Sequence, residues 1–441
     1  MPDPVAHLQA LVRLATISRL NPADTDWGPF DALIALLPEL YPAVHSTLSR
    51  ELVAGHSMLY RWPGRTDGPP TVLMAHYDVV SATEDGWTHP PFAAAIVGSG
   101  DEQLIWGRGT LDDKGSLTCI MEGVEAQVVA GHQPVADIYL SFGHDEETEG
   151  SGAQAIVELL ESRGIRPSLV IDEGGAVVED IFPGVTGPIA VVGVSEKGIL
   201  SLILTVDQHG GHASTPPRLS ATARLATAIV RLNNRPFRSG FTPTTIEMIR
   251  ILGAHASLPL RWLFMNLWLT KPLLLVLFRR LGPETSAMIR TTQAVTMLQA
   301  SQAANALAEQ AVATVNIRVA IDSSVADAVE HVRRAIDDPL VRLAIVHPNE
   351  PSPVSPTSGP AWRLVRSTIE QTYPGTIVTP YVMMAASDSR YFARISDFVY
   401  RFSPFEMSTD ERGSLHAIDE RMHVQTFLRG VDFYTRLVGQ L

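Results

Sequence analysis

Cysteine is almost missing from this sequence: Cys119 is the only one in 441 residues, so no intramolecular disulfide, Cys-based zinc finger or Fe–S cluster can form. Lysine is nearly as scarce, with Lys114, Lys197 and Lys271 the only three among 34 basic residues. Acidic residues outnumber basic ones and the net charge is −13, which argues against the phosphate-neutralising surface of a nucleic-acid binder. Long charge-free apolar runs are also lacking. Within residues 257–281, rich in Leu, Trp and Phe, the runs 262–270 and 272–278 fall well short of the roughly 20 residues needed to span a bilayer. We expect helices packed within the fold there, in preference to an interfacial anchor. The first residues have no basic stretch followed by an unbroken apolar one, so no signal peptide is expected and the cytoplasm is the default compartment.

Against these absences stand 47 carboxylates and 14 histidines, so any metal site must be built from His, Asp and Glu. Three short apolar runs, 71–75, 136–142 and 168–171, read as buried parallel strands. They end in His76-Tyr77-Asp78, in Gly143-His144-Asp145-Glu146-Glu147 and in Asp172-Glu173-Gly174-Gly175. Sites in open α/β sheets collect at the carboxyl ends of strands, so these three ends predict one converging site. Between them, Leu117, Ile120, Met121, Val124 and Val128 keep a helical period that stops at Gly131. Ile156, Leu159 and Leu160 mark a second helix, capped by Ser151 and ended by Gly164.

Strands alternating with helices predict an α/β layer architecture. A Gly/Pro-rich turn at 184–198 changes the character of the chain, and strands are expected after it, over 311–322 and over 341–346, with a helix over 324–336. Five prolines within 347–360 mark a connector. We therefore place an inserted domain at about 195–348, with the catalytic layer formed by 1–194 and 349–441.

His76 and Asp78, two apart on an extended chain, share a side, so a carboxylate can orient a metal-binding imidazole. Alone, that pair is more often a simple hydrogen-bonded one. Trp106-Gly107-Arg108-Gly109-Thr110-Leu111-Asp112-Asp113-Lys114-Gly115 says more: its glycines permit a tight loop, and one carboxylate can bridge two cations. An acidic turn capping the next helix would explain the aspartates but not the glycines. Glu146 and Glu147 repel unless cations relieve them; if one binds metal, the other can serve as general base. Cys119 reads as a buried core residue.

Taken in order, the motifs MAHYDVV, WGRGTLDDKG, GHDEETEG, IDEGG, SEKG, GGHASTPP, AMIRTT and SLHAIDER resemble the M20 metallopeptidases and amidohydrolases over nearly the whole chain. The closest resemblance is to the carboxypeptidase S and PM20D1-like N-acyl amino acid hydrolase branch. It implies a zinc-exopeptidase-like catalytic domain with a mostly parallel sheet, plus an inserted α+β, ferredoxin-like lid used for dimerisation, with an apolar helical insertion around 257–281. It implies two zinc ions, with cobalt or manganese as substitutes, held by His76, Asp112 as the bridge, Glu147, His416, and one of the adjacent Asp172 and Glu173, with Asp172 favoured. Asp78 would orient His76, Glu146 would be the general base acting on a metal-bridging water, and the bond after Asp112 would be cis. In the lid, His212 would steady the oxyanion, Asn305 the amide oxygen, and Arg318 the substrate carboxylate, although Asn305-Ala306-Leu307-Ala308 departs from the usual Asn-Val-Leu-Pro. His209 has no counterpart and reads as a loop residue. The expected activity is amide hydrolysis of N-acyl amino acids or short peptides with a free carboxyl end. A dipeptidase or carboxypeptidase is the alternative, and a non-catalytic binding homologue is the lesser one.

Overall fold

The computed structural model describes residues 3–179 and 182–441. Its larger sheet has nine strands, eight of them in the order Ser49–Val53, Ser57–Trp62, Ile138–Gly143, Thr71–His76, Leu169–Asp172, Val399–Arg401, Ile189–Glu196 and Ile377–Met383. The three strands read as apolar runs lie side by side and parallel, as expected. Each is buried along its whole length, because both faces of the sheet are covered. Leu73 and Ala75 enter one core with Leu117 and Ile120 of the helix Lys114–Val129, while Val72 and Met74 enter another with Ile156 and Leu160 of the helix Ser151–Ser162. Alternation along one strand thus fills two layers.

Both helices stop at the glycines expected: Gly131 and Gly164 take left-handed φ values of 77° and 71°. The start of the second differs from the expectation. Ser151 is already helical, and the cap is Asp145, whose carboxylate accepts the N–H groups of Ser151 and Gly152 at 2.8 and 2.9 Å and the Ser151 hydroxyl as well. A carboxylate at this end also suits the helix dipole.

A second sheet orders Thr292–Gln299, Gln310–Val319, Gly198–Asp207 and Arg342–Asn349, all antiparallel. Helices Ala221–Asn234 and Val325–Ile336 cover it, and Leu200, Leu202, Leu204, Val315 and Ile317 form its own core with Leu225 and Val332. Four further helices interrupt this unit: Pro243–His255, Leu260–Met265, Leu267–Leu281 and Pro283–Met288. Their buried side chains Met248, Leu252, Phe264, Leu274 and Phe278 join the core of the larger sheet instead. The stretch 195–348 therefore contributes to two cores.

Candidate metal centre and substrate cleft

The strand Thr71–His76 delivers His76 into a position only 2% exposed. Buried Asp78 faces its ring, with Oδ1 3.2 Å from Nδ1. Ser18 donates to Asp78 Oδ2 at 2.7 Å, and the main-chain N–H groups of Glu146 and Glu147 both donate to the same carboxylate at 3.1 Å. One aspartate therefore aims the imidazole and fixes the loop that carries both glutamates, leaving His76 Nε2 for a ligand.

Asp112 reaches two histidines through different oxygens: Oδ1 lies 2.9 Å from His76 Nε2, and Oδ2 lies 2.9 Å from His416 Nε2. The loop that presents it turns at Gly109, with φ 90°, and the Asp112–Asp113 bond is cis. Burial opposes ionisation of Asp112, but His416 and His76 outweigh it and hold the carboxyl well below its usual range. Asp113 turns away, accepting the His76 N–H at 3.3 Å.

Glu420 and Arg108 are the residues that reading the sequence missed here. Glu420 Oε1 accepts the N–H groups of Gly109 and Leu111 at 3.0 and 2.9 Å, and Oε2 takes Arg108 Nη1 at 2.6 Å. This buried pair clamps the bridging loop to the loop of His416. There, His416 and Asp419 are non-glycine residues at left-handed φ values of 59° and 62°, each costing about 1–3 kcal/mol. Asp419 is pinned by the Thr88 N–H and hydroxyl at 2.7 and 2.8 Å, so the strained turn is held from both ends.

Glu147 Oε2 lies 3.1 Å from His416 Nε2, whose pKa is pushed up to about 10 by Asp112 and then Glu147. Glu146 Oε2 stands 4.0 Å from His76 Nε2. Burial, reinforced by Asp388 and Glu147, lifts the Glu146 carboxyl well above its ordinary range. At the third strand end the two neighbours part. Asp172 Oδ2 accepts the Ser389 N–H at 2.8 Å, whereas Glu173 lines a cavity together with Asp112. Asp388, also missed, explains two glycines: a Cβ at Gly150 would lie 2.2 Å from its Oδ1, and one at Gly143 would lie 2.7 Å from its Oδ2. Burial pushes the Asp388 carboxyl up to about 8.

His76, Asp112 and Glu147 each offer one donor atom, all within 4.8 Å of one another. Glu147 Oε1 is buried without a hydrogen-bond partner, an arrangement that a cation would satisfy. Oxygen and imidazole donors of this kind suit a divalent transition metal.

Two voids share this cluster as a wall. An open cleft of about 560 Å³ is lined by Glu146, Glu147 and His416 on one side and by Arg318 and Ile199 of the lid on the other. Alternation puts Ile317 and Val319 into the lid core and leaves Arg318, paired with Ile199, on the opposite face. A cavity of about 250 Å³ meets Asp112 and Glu173 and is otherwise mainly apolar, walled by Val178, Met248, Leu252 and Phe278. His212 and Asn305 lie together but elsewhere. They are exposed, His212 pairing with Ala306 and the Asn305 carbonyl accepting the Ala213 N–H at 3.0 Å. His209 is an exposed loop residue, and Cys119 is buried. Of the lysines, Lys114 Nζ donates to the carbonyls of Leu11 and Leu14 and Lys197 Nζ to those of Ala287 and Arg290, so both are anchors.

Comparison with known proteins bears on the family and the fold. Carboxypeptidase S-like 2 of Dictyostelium discoideum is 38% identical over 99% of this chain and 87% of its own. The N-fatty-acyl-amino acid synthase/hydrolase PM20D1 of Homo sapiens is 34% identical over 91% of this chain and 80% of its own. A crystal structure of an M20 family metallo-carboxypeptidase, Sso-CP2 from Sulfolobus solfataricus, superposes with a TM-score of 0.72 at 15% identity, covering 100% of this chain and 99% of that one. Residues 72–440 match peptidase family M20/M25/M40, a span that holds His76, His416, the carboxylates around them and every strand of both sheets that follows Trp62. This chain therefore belongs to peptidase family M20/M25/M40 and is a hydrolase, and the carboxylate that reaches two histidines lies within the matched span.

Proposed function

We propose that this enzyme hydrolyses the amide bond of N-acyl amino acids that carry an apolar acyl chain. The observation that carries the reading is the pair of voids that border the cluster: an apolar cavity at Asp112 and Glu173, and a polar cleft bearing Arg318 at Glu146 and His416. A substrate that is apolar at one end and anionic at the other matches that division. By proportion to the ~150 Å³ apolar cavity that holds a benzene ring, 250 Å³ takes an acyl chain of about ten carbons.

Two zinc ions are the proposed cofactor, with His76, Asp112, Glu147 and His416 among the residues that would hold them. Resemblance favours Asp172 as the fifth donor. The Ser389 N–H at 2.8 Å engages only Asp172 Oδ2 and leaves Oδ1 for a cation, and adjacent Glu173 shares a cavity wall with Asp112. When bound, the ions would supply the Lewis acidity that polarises a carbonyl and acidifies water. Glu146 takes a proton from the attacking water and returns it to the leaving nitrogen, a role supported by its place beside the cluster, with Oε2 4.0 Å from His76 Nε2. Asp78 holds both His76 and the Glu146 main chain in position. Arg318 receives the substrate carboxylate in its guanidinium fork.

His212 and Asn305 fit the proposed oxyanion and amide-oxygen roles in a homodimer, where one protomer's exposed two-stranded ribbon, Gly211–His212 with Ala306–Leu307, serves its partner. Support comes from the lid edge strand Thr292–Gln299, which exposes Val295, Met297 and Leu298. We also propose residues 195–348 as the inserted unit and the cytoplasm as the compartment, the latter supported by the lone Cys119.

A panel of decanoyl, acetyl and aminoacyl derivatives of one amino acid, each with a free and a methylated carboxyl, tests the reading. The free decanoyl compound should show the highest kcat/KM, and methylation should lower it. Dipeptides turned over fastest would move the assignment to a dipeptidase.

A further inference from the structure

The helices Leu260–Met265 and Leu267–Leu281 have one more apolar face than the fold uses. In the longer one, Leu267, Thr270, Leu274 and Phe278 make the buried stripe, and Phe278 and Leu281 wall the apolar cavity. Leu269, Leu273 and Val276, spaced by four and three residues, form a second stripe that faces outward. Trp268 beside it is 83% exposed, Leu273 60% and Trp262 58%. Surface helices ordinarily carry polar groups on the outer face, and contiguous apolar patches mark interaction sites.

Charge identifies what covers this face. Residues 257–281 contain Arg261, Lys271, Arg279 and Arg280 and not one acidic residue, in a chain whose net charge is −13. We propose that this helix pair docks on an anionic lipid surface, with Trp262, Trp268 and Leu273 entering the interface and the four cations meeting lipid phosphates. An apolar face with tryptophans and flanking cations is the composition of a helix lying in an interface. Spanning is excluded for it: fifteen residues extend about 22 Å, and among the described residues no helix is long and apolar enough to cross a membrane. A second copy is a poorer occupant, because a symmetric contact brings the same patch, with its four cations, against itself. One consequence rests on the acyl-chain reading above: the helix that touches the lipid also walls the acyl cavity, so substrate partitioned into the bilayer lies next to its site.

Flotation of the full-length protein with phosphatidylcholine vesicles, with and without phosphatidylglycerol, tests the docking without turnover. Failure here therefore leaves the hydrolase reading standing, and absent turnover leaves the docking standing. The protein should float with the anionic vesicles, its tryptophan emission should shift to the blue, and high salt should release it. Lys271→Gln with Arg280→Gln should weaken binding roughly 25-fold, about fivefold for each cation. Trp268→Ser with Leu273→Ser should abolish the emission shift while hydrolysis of a soluble acetyl substrate and the thermal midpoint stay unchanged. Absence of binding to either vesicle, or variants that bind as the parent does, overturns the proposal. So does a dimer on gel filtration that the serine variant converts to monomer, because that outcome assigns the face to a second copy.

Discussion

The metal cup and the two-stranded ribbon of the lid are built on opposite plans. In the cup every donor is held by a second group: Asp78 aims His76 and grips the glutamate loop, Glu420 clamps the Asp112 loop, and Thr88 pins the turn of His416. On the ribbon, the one side-chain hydrogen bond of the His212 ring among the described residues is to Ser214, at 3.1 Å, and both stand in solvent. Arg318 is intermediate, fixed by sheet register yet facing open space. Groups that must bind an ion are preorganised, because displacement of a ligand by even an ångström weakens the site. The groups proposed to read the substrate would stay uncommitted until the substrate or a second protomer arrives.

Removing the metal should break the comparison most visibly. A chelator should abolish amide hydrolysis and zinc should restore it, while far-ultraviolet circular dichroism stays constant because hydrogen bonds to Asp78, Glu420 and Asp419 hold the loops of the cup. Activity that survives thorough metal removal would overturn the mechanism. Glu146→Gln should retain bound zinc, measured by elemental analysis, and lose about 10²–10⁴-fold in kcat; a rate close to the parent's would show that another group is the base. Arg318→Ala should act differently, raising KM about 10- to 100-fold with a smaller change in kcat. In that variant the free and methylated substrates should become equivalent, and persistent discrimination would place the carboxylate elsewhere.

The same division governs how much could be read in advance. The strands that lead to His76, Glu146 and Asp172 were legible because burial on both faces leaves an apolar run, and the polar residues that interrupt it stand out. Glu420 was not, since its partner Leu111 lies 309 residues away and nothing local distinguishes it from the neighbouring acidic residue Asp419. Nor was Asp145 as a cap, because Ser151 fits the capping pattern and instead donates its hydroxyl to that carboxylate. Gly143 and Gly150 show a reason only once Asp388 is beside them. The helix Leu267–Leu281 is apolar on two faces, so periodicity could not say which one the core would take.

That ambiguity bears on the smallest effect expected, at the acyl cavity. Leu252 is 1% exposed and lines the void, so Leu252→Trp should fill part of it without approaching Glu146 or Arg318. Each buried methylene is worth about 0.8 kcal/mol, or roughly fourfold in kcat/KM. The parent should therefore gain steadily with acyl length up to about ten carbons, and the variant should level off several carbons earlier while acetyl substrates are processed at the parental rate. A thermal midpoint within a few degrees of the parent's keeps the comparison clean. If the length profile does not change, acyl chains bypass this cavity, and the apolar side of the division drawn between the two voids has to be found elsewhere.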